Sequence, residues 1–280
     1  MLPGLPLIER VPEAPLPWQA RTLEGYFSGT VVAFDVEHRN LRRTLPSELS
    51  TDNKRYAERH PLIVMVGTQR DVSPVVFGRR FRFRSMREYS EACIVVPDVL
   101  IKSPDPELNG MRAHYFARLY LDRLSPTLLG RWPYGWSKCL ARFDTTESGI
   151  RLSRRRKGML LDLNEISARK TKASDQSFRP IAACFDQPSV IGRKRTQDPM
   201  RFSFDWDHAT VEPVDLSAET GPRMLIGVNQ QQFSTSADGP QRCTAFHLES
   251  RWVLSSLFPC QNPAVAPPAE SALRPMETSA

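Results

Sequence analysis

Apolar positions in this chain come as short unbroken runs or at every second residue, and seldom at the three-to-four spacing of an amphipathic helix. "GYFSGTVVAFDV" (25–36), rich in Val, Phe and Tyr, predicts a strand. "HRNLRRTLPSEL" carries a short helix that must end before Pro46. "TDNKRYAERHP" is a polar loop or helix, and "LIVMVGTQ" a buried strand. "REYSEACIVVPDVLI" (87–101) and "RAHYFARLYLDR" (112–123) predict two long strands. In "SPTLLGR", Ser125 can cap a short helix and Pro126 can take its first position. The second half continues in strands: "LARFDTTESGIRLSR", "GMLLDLNEISA", "RFSFDWDHATVEPVDL", "RMLIGVNQQQFS" and "CTAFHLESRWVLSSLF". Strands dominate, so the expected fold is mostly β (α+β): antiparallel sheets closed into a barrel or stacked as a sandwich, with a few short helices.

Five prolines among residues 1–20 exclude helix there and predict an extended N-terminal arm. Residues 261–280 are rich in Pro, Ala and Ser, the composition of a disordered tail. Between them, residues 21–260 show no break and predict a single domain. The first residues lack a positive segment before an apolar core, and no run reaches the ~18 apolar residues of a membrane span. The expectation is a soluble cytoplasmic protein with no membrane partner.

The net charge of +7 permits a nucleic-acid partner without indicating one. The basic run "RLSRRRKGML" (151–160) has no interleaved aromatics and predicts a solvated turn between two strands, so no nucleic-acid partner is expected. Five cysteines, Cys93, Cys139, Cys184, Cys243 and Cys260, stand far apart and predict free thiols.

Phosphate-loop, serine-hydrolase, zinc and dinucleotide motifs are all missing. The five histidines show no ligand spacing. "FDWDH" (204–208) would put Asp205 and Asp207 on one face of a strand, with nothing else to complete a metal site. No metal is expected.

"GRWPYGWSKCLARF" (130–143) sets Trp132, Tyr134 and Trp136 around Lys138. Lys138 follows a turn at Pro133-Tyr134-Gly135 and precedes a strand. One reading is a surface lysine whose stem lies along aromatics. The other is a buried amine: an exposed lysine, with pKa near 10.4, is almost wholly protonated at pH 7, and burial can supply the neutral nucleophile. Upstream, Tyr89, Glu91, Cys93 and Val95 share one strand face, and both faces are apolar. Glu91 therefore needs a partner, an arginine by the ordinary reading, or must hold a proton.

"YSE" (89–91), "LYLD" (119–122) and "SPTLLGRWPYGWSKCL" (125–140), in this order, resemble the acetoacetate decarboxylase family, with weaker likeness in "NLRRTLPSEL" (40–49) and "ETGPRMLIGV" (219–228). The resemblance spans about residues 25–255. It implies an acetoacetate decarboxylase-like, largely antiparallel β-barrel, a homo-oligomer, and a small-molecule carbonyl substrate handled without a cofactor. It implies Lys138 as the Schiff-base lysine, Glu91 as the active-site glutamate and Trp136 as a substrate-binding wall. Arg21 lies where the family carries a substrate-binding arginine. Cys139 stands where the family has a second lysine, and Ser137 where it has proline. No adjacent cation then lowers the lysine's basicity, which leaves desolvation for that task. Desolvation or a neighbouring cation is the general means of freeing a lysine amine for attack.

Three functions remain open. One is a Schiff-base lyase of decarboxylase type acting on a β-keto acid or related small carbonyl compound. Another is an aldolase or dehydratase using the same imine on pyruvate-like substrates. The third is a non-catalytic binding protein for a small ligand on the same scaffold.

Overall fold

The unbroken and alternating apolar runs become long, β-branched strands. The structure is a computed structural model, described for residues 7–10, 22–42, 45–52, 54–56, 58–76, 79–134, 136–146, 149–154, 158–164, 181, 185, 187–191, 199–214, 223–224 and 243–256. In chain order the elements are β1 (Leu7–Arg10), β2 (Thr22–Glu37), α1 (His38–Arg42), β3 (Leu49–Thr51), β4 (Arg59–Val76), β5 (Arg79–Arg82), β6 (Glu88–Ile101), β7 (Arg112–Leu121) and α2 (Leu124–Tyr134). There follow β8 (Lys138–Leu140), β9 (Arg142–Thr146), β10 (Gly149–Arg154), β11 (Gly158–Asn164), β12 (Pro188–Ile191), β13 (Met200–Phe204), β14 (Thr210–Pro213), β15 (Arg223–Met224) and β16 (Cys243–Ser256).

The main sheet runs β4-β2-β16-β13-β12-β7-β6, and pairing of β6 back onto β4 closes these seven strands into a barrel. Further strands, among them β1, β3 and β5, extend its edges, and β9, β10, β11 and β15 form a separate sheet. The expectation of a mostly β barrel holds, with one difference. The sheet is mixed, because β12 and β8 both run parallel to β7. Both lie along the same edge of β7, β12 beside His114–Phe116 and β8 beside Leu119–Leu121.

Period-two alternation gives each barrel strand two apolar faces. One face gathers Phe27, Val31, Ile63, Met65, Cys93, Val95, Phe116, Leu121, Phe202, Phe204, Leu248 and Trp252. Its rings meet across strands that are not sheet neighbours. Phe116 of β7 and Phe202 of β13 lie 5.5 Å apart, and Phe27 of β2 and Phe204 of β13 lie 6.3 Å apart. Such contacts need a concave surface, so this face is the barrel lumen. The opposite face, with Val32, Phe34, Val64, Ile94 and Tyr115, packs with Leu41 of α1 and Leu152 of β10. Burial on both sides explains why β6 reads as an almost continuous apolar run.

Several local expectations change. α2 begins at Leu124 and continues through Pro133 to Tyr134, so Ser125 lies inside the helix and no turn interrupts 133–134. The strand ends at Phe204, Asp205 precedes a 3-10 turn, Trp206–His208, and Asp207 sits within that turn, so the two carboxylates do not share a strand face. Asp205 instead bonds His208, whose Nδ1 lies 3.0 Å from Oδ1. Within the arm, Leu7–Arg10 pairs with β5 as a strand. β10 and β11 pair as the basic run suggested, although residues 155–157 of that run lie outside the described residues. Residues 261–280 lie outside them too. Among the described residues, no helix is long and apolar enough to cross a membrane.

Candidate active site

Lys138 opens β8, and its backbone pairs with Leu119 of β7. Glu91 sits near the start of β6, opposite Leu121 of β7 and Gly67 of β4. The two residues thus flank β7 from either side, and the concave sheet turns both inward. Lys138 Nζ lies 3.6 Å from Glu91 Oε2, and the side chains are only 3% and 7% exposed. The surface reading of Lys138 is therefore wrong, and the partner of Glu91 is this lysine rather than an arginine. Removing two charges from water costs several kcal/mol per ion, so the pair stands only because each charge meets the other.

Trp136 lies over the lysine, with its ring centroid 4.6 Å from Nζ. An indole face attracts a cation. The ring therefore suits the cationic nitrogen of a protonated imine. The aromatic wall does more than exclude water.

The end of α2 aims the lysine. A Cβ added to Gly130 would stand 2.4 Å from Lys138 Cδ and 2.6 Å from Cε, so the lysine stem crosses the helix where no side chain exists. Arg131 donates its Nε–H to the Lys138 carbonyl at 2.6 Å and lies 3.8 Å from Cys139 Sγ. Cys139 itself faces away from Glu91, in the outer apolar cluster.

The two oxygens of Glu91 differ. Oε1 accepts from Gln69 Nε2 at 3.4 Å and from the Cys93 thiol at 3.1 Å. Oε2 is buried, accepts no hydrogen bond among the described residues, and faces Lys138. Burial, then the adjacent Glu91 charge, pushes the Cys93 thiol well above its ordinary pKa, so it stays protonated and donates. The same causes, burial first, raise the Tyr89 hydroxyl. Gln69 is in turn held by the Trp252 indole, Nε1 to Oε1 at 2.8 Å.

The structure thus unites three of the four residues singled out from the sequence, Lys138, Glu91 and Trp136. Arg21 lies outside the described residues, as do the side chains of Trp132 and Tyr134. Gln69, Trp252, Gly130 and Arg131 were not assigned roles from the sequence. Gly130 and Arg131 fell within the 125–140 segment of the resemblance and Cys93 shared the strand period of Glu91, while Gln69 and Trp252 carried no signal. Among the described residues no group of three or more His, Cys, Asp or Glu could hold a metal ion.

The fold is similar to solved structures at large sequence distance. Acetoacetate decarboxylase from Legionella pneumophila matches with 11% identity and a TM-score of 0.49, over 84% of this chain and 87% of that one. An acetoacetate decarboxylase-like enzyme from Sphingomonas wittichii RW1 matches with 11% identity and a TM-score of 0.48, over 84% and 92%. The enduracididine biosynthesis enzyme MppR, complexed with the condensation product of pyruvate and imidazole 4-carboxaldehyde, matches with 13% identity and a TM-score of 0.49, over 83% and 87%. No protein-family model matches the chain, and no curated protein matches it by sequence.

Proposed function

We propose that this chain is a cofactor-independent Schiff-base lyase for a small carbonyl compound, with Lys138 as nucleophile and Glu91 as proton carrier. The observation that carries this reading is the buried contact of Lys138 Nζ with a carboxylate oxygen that accepts no hydrogen bond among the described residues. The contact puts a proton acceptor beside the amine, which is what a lysine nucleophile requires.

The chemistry balances on these two groups. The Lys138 ammonium gives a proton to Glu91 Oε2, and the free amine adds to the substrate carbonyl. The carbinolamine takes that proton back on its hydroxyl and loses water, leaving a protonated imine beside the Glu91 carboxylate. The imine is the electron sink. The bond from the α-carbon to a carboxylate breaks, carbon dioxide leaves, and its electron pair forms the enamine. Glu91, reprotonated from water, protonates the enamine carbon, and a second water releases the product and restores the lysine. The face of Trp136 stabilises the cationic nitrogen in each iminium state.

A second reading keeps the imine and breaks or makes a different carbon–carbon bond, as an aldolase or dehydratase does. Turnover of acetoacetate and of pyruvate with an aldehyde, followed by carbon dioxide release and by product mass, tests both. Lys138→Ala and Glu91→Gln should lose turnover by about two orders of magnitude or more. Undiminished turnover in Lys138→Ala would reject both readings.

A further inference from the structure

Glu91 can exchange a proton with Lys138 only if one oxygen is held toward the amine. A carboxylate on a flexible side chain has no such preference by itself. Two donors to Oε1 create one: the Cys93 thiol from the same strand and Gln69 from β4. An indole N–H can only donate. The Trp252 contact at 2.8 Å therefore fixes the Gln69 oxygen toward Trp252 and the Gln69 amide hydrogens toward Glu91. The link spans strands that are not neighbours, since β2 lies between β16 and β4. Trp252 reaches across because its register partner on β2 is Gly25, where an added Cβ would meet the indole at 2.8 Å. Trp252, Gln69 and Glu91 are all buried.

We propose that Gln69, clamped by the Trp252 indole, is a positioning residue that, with the Cys93 thiol, engages one oxygen of Glu91 and leaves the other facing Lys138. The proposal rests on the lyase reading of the Lys138–Glu91 pair and adds to it the device that orients the proton carrier. Gln69 touches no reacting atom and acts through Glu91.

Reductive methylation of the full chain with formaldehyde and cyanoborohydride, read at Lys138 by peptide mass spectrometry across pH, tests this without any substrate. Methylation needs the neutral amine. A carboxylate that loses a hydrogen-bond donor holds a proton more readily. In Gln69→Leu, Glu91 therefore takes the lysine's proton more readily, and the Lys138 profile moves to lower pH. Trp252→Phe removes only the indole donor and should move the profile the same way by less. The double variant should match Gln69→Leu alone, because both substitutions act through one link. With a turned-over carbonyl, kcat of Gln69→Leu should fall about tenfold with KM little changed.

A Lys138 profile that superimposes on the wild type in both single variants overturns the proposal, as does full addition of the two effects in the double variant. Failure of the lyase reading looks different. In that case no carbonyl turns over in the wild type, while the methylation profiles still decide whether Gln69 acts on the pair.

Discussion

Lys138 is buried on a stem that runs where Gly130 has no side chain, under the Trp136 ring and against Glu91. Two of these contacts predict a measurable loss. Gly130→Ala puts a methyl group within 2.6 Å of two stem carbons, so the lysine must leave its path. Its borohydride-trapped adduct should form at least tenfold more slowly, with the unfolding midpoint falling far less than that of a core truncation. An unchanged trapping rate would show that the stem does not need this gap. The ion pair makes a second prediction. Lys138→Met leaves a buried carboxylate without its cation and should cost about 3 kcal/mol or more, while Lys138→Met with Glu91→Leu should recover most of that loss. Urea unfolding of the three proteins measures both differences. A double variant no more stable than Lys138→Met would mean that burial of Glu91 is not the source of the cost.

The strands place these residues, and the strands were the part most legible in the sequence. β2, β6, β7 and β16 follow apolar runs that predicted them, and the period of β6 put Glu91 and Cys93 on one face. The path of closure was not legible. Register between β4 and β6 brings Gln69 beside Tyr89 and Gly67 beside Glu91, and nothing local in "LIVMVGTQ" fixes that pairing. The parallel placement of β8 and β12 along β7 depends on long connections rather than on turn residues, which is why an antiparallel barrel was expected. At 205–208 a strand pattern gave way to a 3-10 turn, where Asp205 bonds His208. Strand contact also yields a prediction. A Cβ on Gly67 would stand 2.3 Å from the Ser28 carbonyl oxygen, a backbone atom that cannot swing aside. Gly67→Ala should therefore part β2 from β4 and cost about 2 kcal/mol or more in urea unfolding. A neutral effect would mean that the two strands separate easily at that point.

Polar groups gather at both ends of the lumen strands, and among the described residues one end has the arrangement of a reaction site. Toward the other end, Asp98 is satisfied by Arg55, Arg112 and Tyr56, and His60 packs at a tilt of 53° against Tyr56 with ring centroids 4.4 Å apart. Burial, foremost, lowers the His60 pKa to about 4, with the bond to the Pro61 carbonyl and the Asp98 charge opposing and His38 and Arg55 assisting. The unfolded chain takes up this proton near pH 6.5 and the folded chain only near pH 4. Stability from the neutral imidazole is therefore complete above pH 6.5 and declines as pH falls from there to about 4, by about 3 kcal/mol in all. Urea midpoints of the wild type and His60→Gln at pH 7 and near pH 4.5 check this: the variant should start lower and show the flatter dependence. Parallel slopes would remove His60 from the acid response.

The central claim is that the buried amine of Lys138 attacks a carbonyl carbon. Incubation with acetoacetate or pyruvate, reduction with borohydride and peptide mapping by mass spectrometry test it directly, because reduction fixes an imine on the lysine that formed it. The account predicts an adduct on Lys138, absent in Lys138→Ala. No adduct on Lys138 from these ketoacids or from a panel of small ketones and aldehydes would contradict it and leave a ligand-binding barrel in its place.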